Sequence, residues 1–124
     1  MSKKGIVLLV EDNAKILTIN HRVLEKEGLV VLTEKNLAEA RERIRIALPD
    51  VVVLDIMLPD GNGLDFLPKL HRLCSSPVLV LSAKAKSDDI IAGLRAGGDD
   101  YMTKPYNISE FRTRVTGFLQ PCRK

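Results

Sequence analysis

Val51-Val52-Val53-Leu54-Asp55-Ile56-Met57-Leu58-Pro59-Asp60-Gly61 places four consecutive β-favouring apolar residues directly ahead of an acid. A continuous run of that kind suits a strand buried on both faces, the mark of a parallel sheet covered by helices; a half-exposed strand would alternate instead. Working outward, similar runs occur at Ile6 to Val10, Leu29 to Leu32 and Val78 to Leu81, and a fifth short strand is predicted over Asp100 to Thr103. Between them lie stretches with apolar residues at helical spacing. Ile16, Val23 and Leu24 precede Gly28, and Leu37, Ala40, Ile44, Ala47 and Leu48 precede Pro49. The alternation predicts an α/β fold of the (βα)₅ type, in which right-handed crossovers put helices on both faces of a parallel sheet.

Helix boundaries carry their own chemistry. Asn36 with Glu39, and Asn107 with Glu110, are spaced to satisfy orphan helix amides reciprocally. Ser87 followed by Asp88-Asp89 predicts a further capped start with acidic charge at a helix N-terminus. Pro68 fits a helix beginning around Gly63 to Asp65, which would place it in the first turn.

The 124 residues are the size of one domain, and neither repeat nor linker divides them, so a single domain over 1–124 with a core of about 6–119 is expected. Apolar runs are too short to cross a bilayer. Met1-Ser2-Lys3-Lys4 is basic, but only five apolar residues follow before Glu11-Asp12, so no export signal and a cytoplasmic location are expected. Cys74 and Cys122 lack paired metal-ligand spacing and are expected to be free thiols. The net charge of +3 comes from scattered lysines and arginines, which argues against direct nucleic-acid contact.

In an open parallel sheet the ligand site lies beyond the carboxyl ends of the strands. Just past those ends stand Glu11-Asp12, Asp55, Ser82 and Lys104-Pro105. Three carboxylates drawn together repel unless they are protonated or a cation neutralises them. A hard divalent ion, Mg²⁺, suits a diacid turn plus one aspartate. With such an ion a phosphate could be held there, Lys104 and the Ser82 hydroxyl binding its oxygens, and Asp55 fits the role of nucleophile.

Val10-Glu11-Asp12, Val53 to Gly61, Leu81-Ser82-Ala83-Lys84 and Gly97 to Tyr106 resemble, in order and spacing, the motifs of response-regulator receiver domains. The resemblance runs from about Ile6 to Leu119. It implies a flavodoxin-like doubly wound sheet with strand order 2-1-3-4-5. It also implies that Asp55 accepts a phosphoryl group from a sensor histidine kinase, with Lys104 and Ser82 assisting. Asp12, Asp55 and the Met57 carbonyl would hold Mg²⁺ directly and Glu11 through water. Ser82 would reach toward the phosphate on activation and Tyr101 would then turn inward, the two forming the switch, and Lys104-Pro105 would be joined by a cis peptide bond. Phosphorylation would bias a two-state equilibrium on the face bearing the fourth and fifth helices. Such a domain is not an enzyme beyond catalysing its own phosphorylation and dephosphorylation.

The Asp-Asp-Tyr-x-x-Lys-Pro segment looks most like receivers of winged-helix transcription factors, which implies transcriptional output through a DNA-binding domain outside this chain. Asp100, Glu110 and Arg114 match that subfamily's dimer face on the last two helices and last strand. Ile90 and Pro121 stand where it commonly has basic residues, and Gly98 replaces its usual alanine. Ile90 could instead add apolar area to a partner surface.

Taken singly, each residue has a plainer reading. Glu11-Asp12 could be a solvated turn, Asp55 or Ser82 a cap, Lys104 a surface lysine and Tyr101 packing. Gly61-Asn62-Gly63 reads as turn chemistry, the Arg41 to Arg45 run as a helix face, and His21 and His71 as solvent-facing. A flavodoxin-type FMN binder is disfavoured by two acids where a phosphate loop would stand, and Walker-type nucleotide binding by the lack of its motif. A phosphohydrolase using an aspartyl phosphate is disfavoured by Met57, two residues after the nucleophile, where those enzymes look for an acid. A stand-alone regulator acting by protein contact is the other reading.

Overall fold

The computed structural model describes residues 5–119. Cys122 and Pro121 lie outside them, so the free-thiol reading of Cys122 finds no counterpart; Cys74 is a free, half-buried thiol.

Five parallel strands form one sheet: β1 (Ile6–Val10), β2 (Val30–Glu34), β3 (Val51–Asp55), β4 (Val78–Ser82) and β5 (Asp100–Thr103), in the order β2-β1-β3-β4-β5. Helices α1 (Ala14–Glu25), α2 (Leu37–Ala47), α3 (Gly63–Leu73), α4 (Ser87–Arg95) and α5 (Ile108–Leu119) complete a flavodoxin-like α/β fold. A two-residue antiparallel ladder pairs Met57–Leu58 with Gly61–Asn62 between β3 and α3.

Strand pleating divides the core into two layers. Leu8, Val10, Val52, Leu54, Val78 and Val80 face α2 and α3, meeting Ile44, Leu67 and Leu70. Val7, Leu9, Val51, Val53, Leu79 and Leu81 face α1 and α5, meeting Leu24, Phe111 and Val115. Burial of both faces is why β1, β3 and β4 read as unbroken apolar runs.

β2 departs from that pattern. It starts at Val30 and extends to Glu34 rather than spanning Leu29 to Leu32, and all five of its residues are half-buried. It is an edge strand hydrogen-bonded only to β1, so polar Thr33 and Glu34 can carry the ladder on opposite Leu9 and Val10. Glu34 is held by Arg43 at 2.8 Å.

Several helix expectations need correction. The buried stripe of α1 is Leu17, Asn20 and Leu24, while Ile16 and Val23 lie at its half-buried margin. Leu48 does not join the inner face of α2; it is the C-cap, left-handed at φ 49 and 61% exposed. Asn36 and Asn107 do accept the Glu39 and Glu110 amides, at 2.8 and 3.0 Å. Among the described residues neither glutamate returns a bond to its cap; Glu110 turns to Arg114 instead. Ser87 is inside α4 rather than capping it, the N-cap being Lys86 without a side-chain bond, although Asp88 and Asp89 do occupy the first turn. α3 begins at Gly63, but Pro68 is then its sixth residue, in the second turn, at an exposed position of the helix. Ile90 is half-buried against the core layer that faces α2 and α3, and it is Ile91 and Leu94 that α4 exposes.

Candidate functional site

The carboxyl ends of β1, β3 and β5 bring the ionisable groups together. Asp55, the last residue of β3, is 4% exposed, and Glu11, directly after β1, is equally buried, while Asp12 faces solvent. One carboxylate oxygen from each of Glu11, Asp12 and Asp55 lies within 4.8 Å of the others. Lys104, directly after β5, points its Nζ between two of them, 2.9 Å from Glu11 Oε1 and 3.0 Å from Asp55 Oδ2. Its backbone N–H donates to the Ser82 carbonyl at 2.7 Å, so the strand ends are cross-tied as well. The Lys104–Pro105 peptide bond is cis.

One ammonium faces three carboxylates, and the titration behaviour reflects that imbalance. Burial, then the nearby Asp55, pushes Glu11 from 4.5 up to about 7, against the opposing pull of Lys104. Burial alone would lower Lys104, but its hydrogen bonds to Glu11 and Asp55 hold it above its usual value. An all-oxygen, carboxylate-rich donor set short of positive charge is what a hard divalent cation takes, so the residues present fit Mg²⁺.

The remaining candidates surround this centre. Met57 is 65% exposed, and its N–H donates to Asp55 Oδ1 at 3.3 Å. Ser82 is buried at the end of β4, one residue past the Asp55 partner Leu81, and its Oγ accepts the Lys84 N–H at 3.0 Å. Tyr101 is buried with its hydroxyl donating to the Lys84 carbonyl at 3.0 Å, so Ser82 and Tyr101 meet through Lys84. Asp100, Glu110 and Arg114 form their own cluster on the outer side of β5 and α5. The Arg114 guanidinium binds Asp100 at 2.5 Å and Glu110 at 2.8 Å within the same chain. His71 is exposed, its Nε2 lying 2.7 Å from the Gly97 carbonyl oxygen, and the half-exposed His21 lies 3.6 Å from Glu25.

Two contributors near the centre are not legible as such in the sequence. Gly63 is more than turn chemistry: a Cβ there would lie 2.5 Å from the Asp55 carbonyl oxygen, and its N–H donates to the Ile56 carbonyl at 2.7 Å. The available signal is a glycine opening a helix, where other residues serve better. Asp60 reaches across to α2, its carboxylate accepting the Leu37 and Ala38 amides at 2.8 and 3.0 Å, which ties the loop after Asp55 to a helix N-terminus. Beside Lys104 a pocket of about 350 Å³ is lined by Ile16, Ile19, Pro105, Tyr106 and Ile108. At that pocket Asn20 donates to the Tyr106 hydroxyl at 2.8 Å, which accounts for a polar residue on the buried face of α1.

Residues 7–116 match the family described as the response regulator receiver domain. The chain is 38% identical over 109 residues to the KDP operon transcriptional regulatory protein KdpE of Escherichia coli, covering 88% of this chain and 48% of that protein. It is 37% identical over 121 residues to the alkaline phosphatase synthesis transcriptional regulatory protein PhoP of Bacillus subtilis, covering 97% and 50%. The Francisella response regulator 1452 receiver domain superposes with a TM-score of 0.88 at 33% identity, over 93% of this chain and 96% of that one. The chain belongs to the response regulator receiver family, a signalling domain of two-component systems. It spans about half the length of the curated relatives it matches. No helix among the described residues is long and apolar enough to cross a membrane.

Proposed function

We propose that residues 1–124 are a single receiver domain, core about 6–119, whose Asp55 accepts a phosphoryl group from the phosphohistidine of a sensor kinase. The observation that carries this reading is Asp55 itself: a nearly buried carboxylate at the rim of the sheet, 3.0 Å from Lys104 Nζ and clustered with Glu11 and Asp12. A carboxylate oxygen attacks phosphorus as the phosphorus–nitrogen bond of the donor breaks, and the departing imidazole keeps the electron pair. Little covalent work is needed beyond in-line positioning and charge neutralisation.

Glu11, Asp12, Asp55 and the Met57 carbonyl would hold Mg²⁺. When bound, the ion offsets the carboxylates and the charge of the transferring group. Lys104, already between Glu11 and Asp55, is in place to bind an added phosphoryl oxygen. Ser82 Oγ–H supplies a further donor, and moving it disturbs the Lys84 amide that it now accepts, and hence the carbonyl that holds Tyr101. Those shifts pass to α4, β5 and α5.

The pocket beside Lys104 supports a kinase docking there, since exposed Ile19 and half-buried Ile16 line it together with Lys104. Output through transcription is inferred from the similarity to the transcriptional regulatory proteins KdpE and PhoP. A homodimer through α4, β5 and α5 would bury Ile91 and Leu94, with Asp100, Glu110 and Arg114 exchanging their present partners across the interface. The domain makes no DNA contact of its own and acts in the cytoplasm.

Incubation with acetyl phosphate, with and without Mg²⁺, followed by intact mass, tests the proposal. A Mg²⁺-dependent gain of one phosphoryl group, lost in Asp55→Asn, is expected. No gain under any condition would overturn it.

A further inference from the structure

Gly93 is the one buried residue of α4, seven positions into a nine-residue helix. Glycine is the poorest helix former apart from proline, so its use there calls for a packing reason. The reason is Tyr101. A Cβ on Gly93 would lie 2.7 Å from both Cδ2 and Cε2 of the tyrosine ring, well inside the separation at which carbon atoms rest against one another. The ring cannot easily yield, being buried in the core layer that faces α2 and α3 with its hydroxyl on the Lys84 carbonyl. Leu64 Cδ2, at 3.8 Å from the same point, closes the other side.

An unbroken series of contacts therefore runs from the sheet rim to α4. Ser82 Oγ accepts the Lys84 amide, the Lys84 carbonyl accepts the Tyr101 hydroxyl, and the Tyr101 ring rests on the bare backbone of Gly93. A methyl group at position 93 and the inward ring exclude one another. Either the ring turns out or α4 retreats, and in both cases the series is cut at its last link.

We propose that Gly93 is the positioning residue for Tyr101: its missing Cβ lets the ring lie inward, and so couples the Ser82 end of the sheet to α4. The signalling part of this rests on the receiver reading above; the steric part does not. Gly93 touches neither the carboxylates nor Lys104, so Gly93→Ala leaves Asp55 able to accept a phosphoryl group while releasing the ring.

The test uses protein labelled with 3-fluorotyrosine, whose two tyrosines, Tyr101 and Tyr106, are assigned through Tyr106→Phe. In Gly93→Ala the Tyr101 fluorine resonance is expected to move and to gain the H₂O/D₂O shift of an exposed ring, with Tyr106 unchanged. Thermal melts of a double-mutant cycle supply the second measurement. Gly93→Ala lowers Tm when Tyr101 is present, and raises it by roughly 3 °C in a Tyr101→Ala background, where only the better helix propensity of alanine is left. The second background keeps the test decisive even if Gly93→Ala alone fails to fold. An unmoved Tyr101 resonance, or stabilisation by alanine in both backgrounds, would overturn the proposal. Wild-type protein that takes up no phosphoryl group from acetyl phosphate would instead overturn the receiver chemistry and leave the steric result to be judged by the cycle.

Discussion

Replacing Lys104 with methionine removes the ammonium from between Glu11 and Asp55 while keeping most of the side-chain volume. The lysine side chain is 19% exposed and the two carboxylates 4% and 6%, so little water can take its place. Removing one partner of a buried pair costs about 3–5 kcal/mol, and the lower end, about 3 kcal/mol, applies at pH 8, where Glu11 is ionised. Glu11 sits at about 7 even with Lys104 beside it. At pH 6 it is mostly protonated, so only the bond to Asp55 is lost, roughly 1.5 kcal/mol for a hydrogen bond between charged groups. For a chain of this length about 4 °C accompanies each kcal/mol, giving a fall in Tm of about 12 °C at pH 8 and about 6 °C at pH 6. The sign follows from linkage: Glu11 is raised above its unfolded value of 4.5, so wild-type stability itself declines as pH rises from 4.5 through about 7, and the variant declines more steeply. Mg²⁺ should stabilise the variant more than the wild type. Melts by circular dichroism at the two pH values, with and without MgCl₂, measure all of this. An equal loss at both pH values, or a higher Tm at pH 8, would refute the electrostatic reasoning.

Other perturbations follow from the same geometry. Gly63→Ala forces a methyl against the Asp55 carbonyl 2.5 Å away, so β3 or α3 must shift; a loss of about 2 kcal/mol in urea unfolding and slower phosphoryl uptake are expected. Asp60 has its carboxyl held below the usual 3.8 by the Leu37 amide first. Its contribution is thus present above that value and lost as pH falls through its folded pKa, and the stability gap between wild type and Asp60→Asn should close in acid melts below pH 4. Leu48→Gly relieves a left-handed, exposed leucine and should raise stability by about 1 kcal/mol, read as a higher urea midpoint.

How far the sequence carries the structure depends on whether the reason for a residue is local. β1, β3 and β4 are legible because burial on both faces leaves no polar residue in the run, and the site acids and Lys104 are legible because strand ends locate them. β2 is misjudged because pairing on one side alone tolerates Thr33 and Glu34, which composition assigns to a loop. Asn20 is invisible as a core residue, since its partner Tyr106 lies 86 residues away. Leu48 reads as part of an apolar stripe until the backbone turns left-handed there. Asp60, Gly63 and Gly93 share that difficulty: each is chosen for a contact with another element, α2, β3 or β5, which spacing along the chain does not encode.

The most direct test of the account is to locate the phosphoryl group. Protein treated with acetyl phosphate and Mg²⁺, reduced with borohydride and digested, should show homoserine at position 55 and aspartate at positions 12 and 60 by peptide mass spectrometry. Homoserine at another acid, or an unreduced Asp55 in protein whose intact mass had risen by one phosphoryl group, would contradict it.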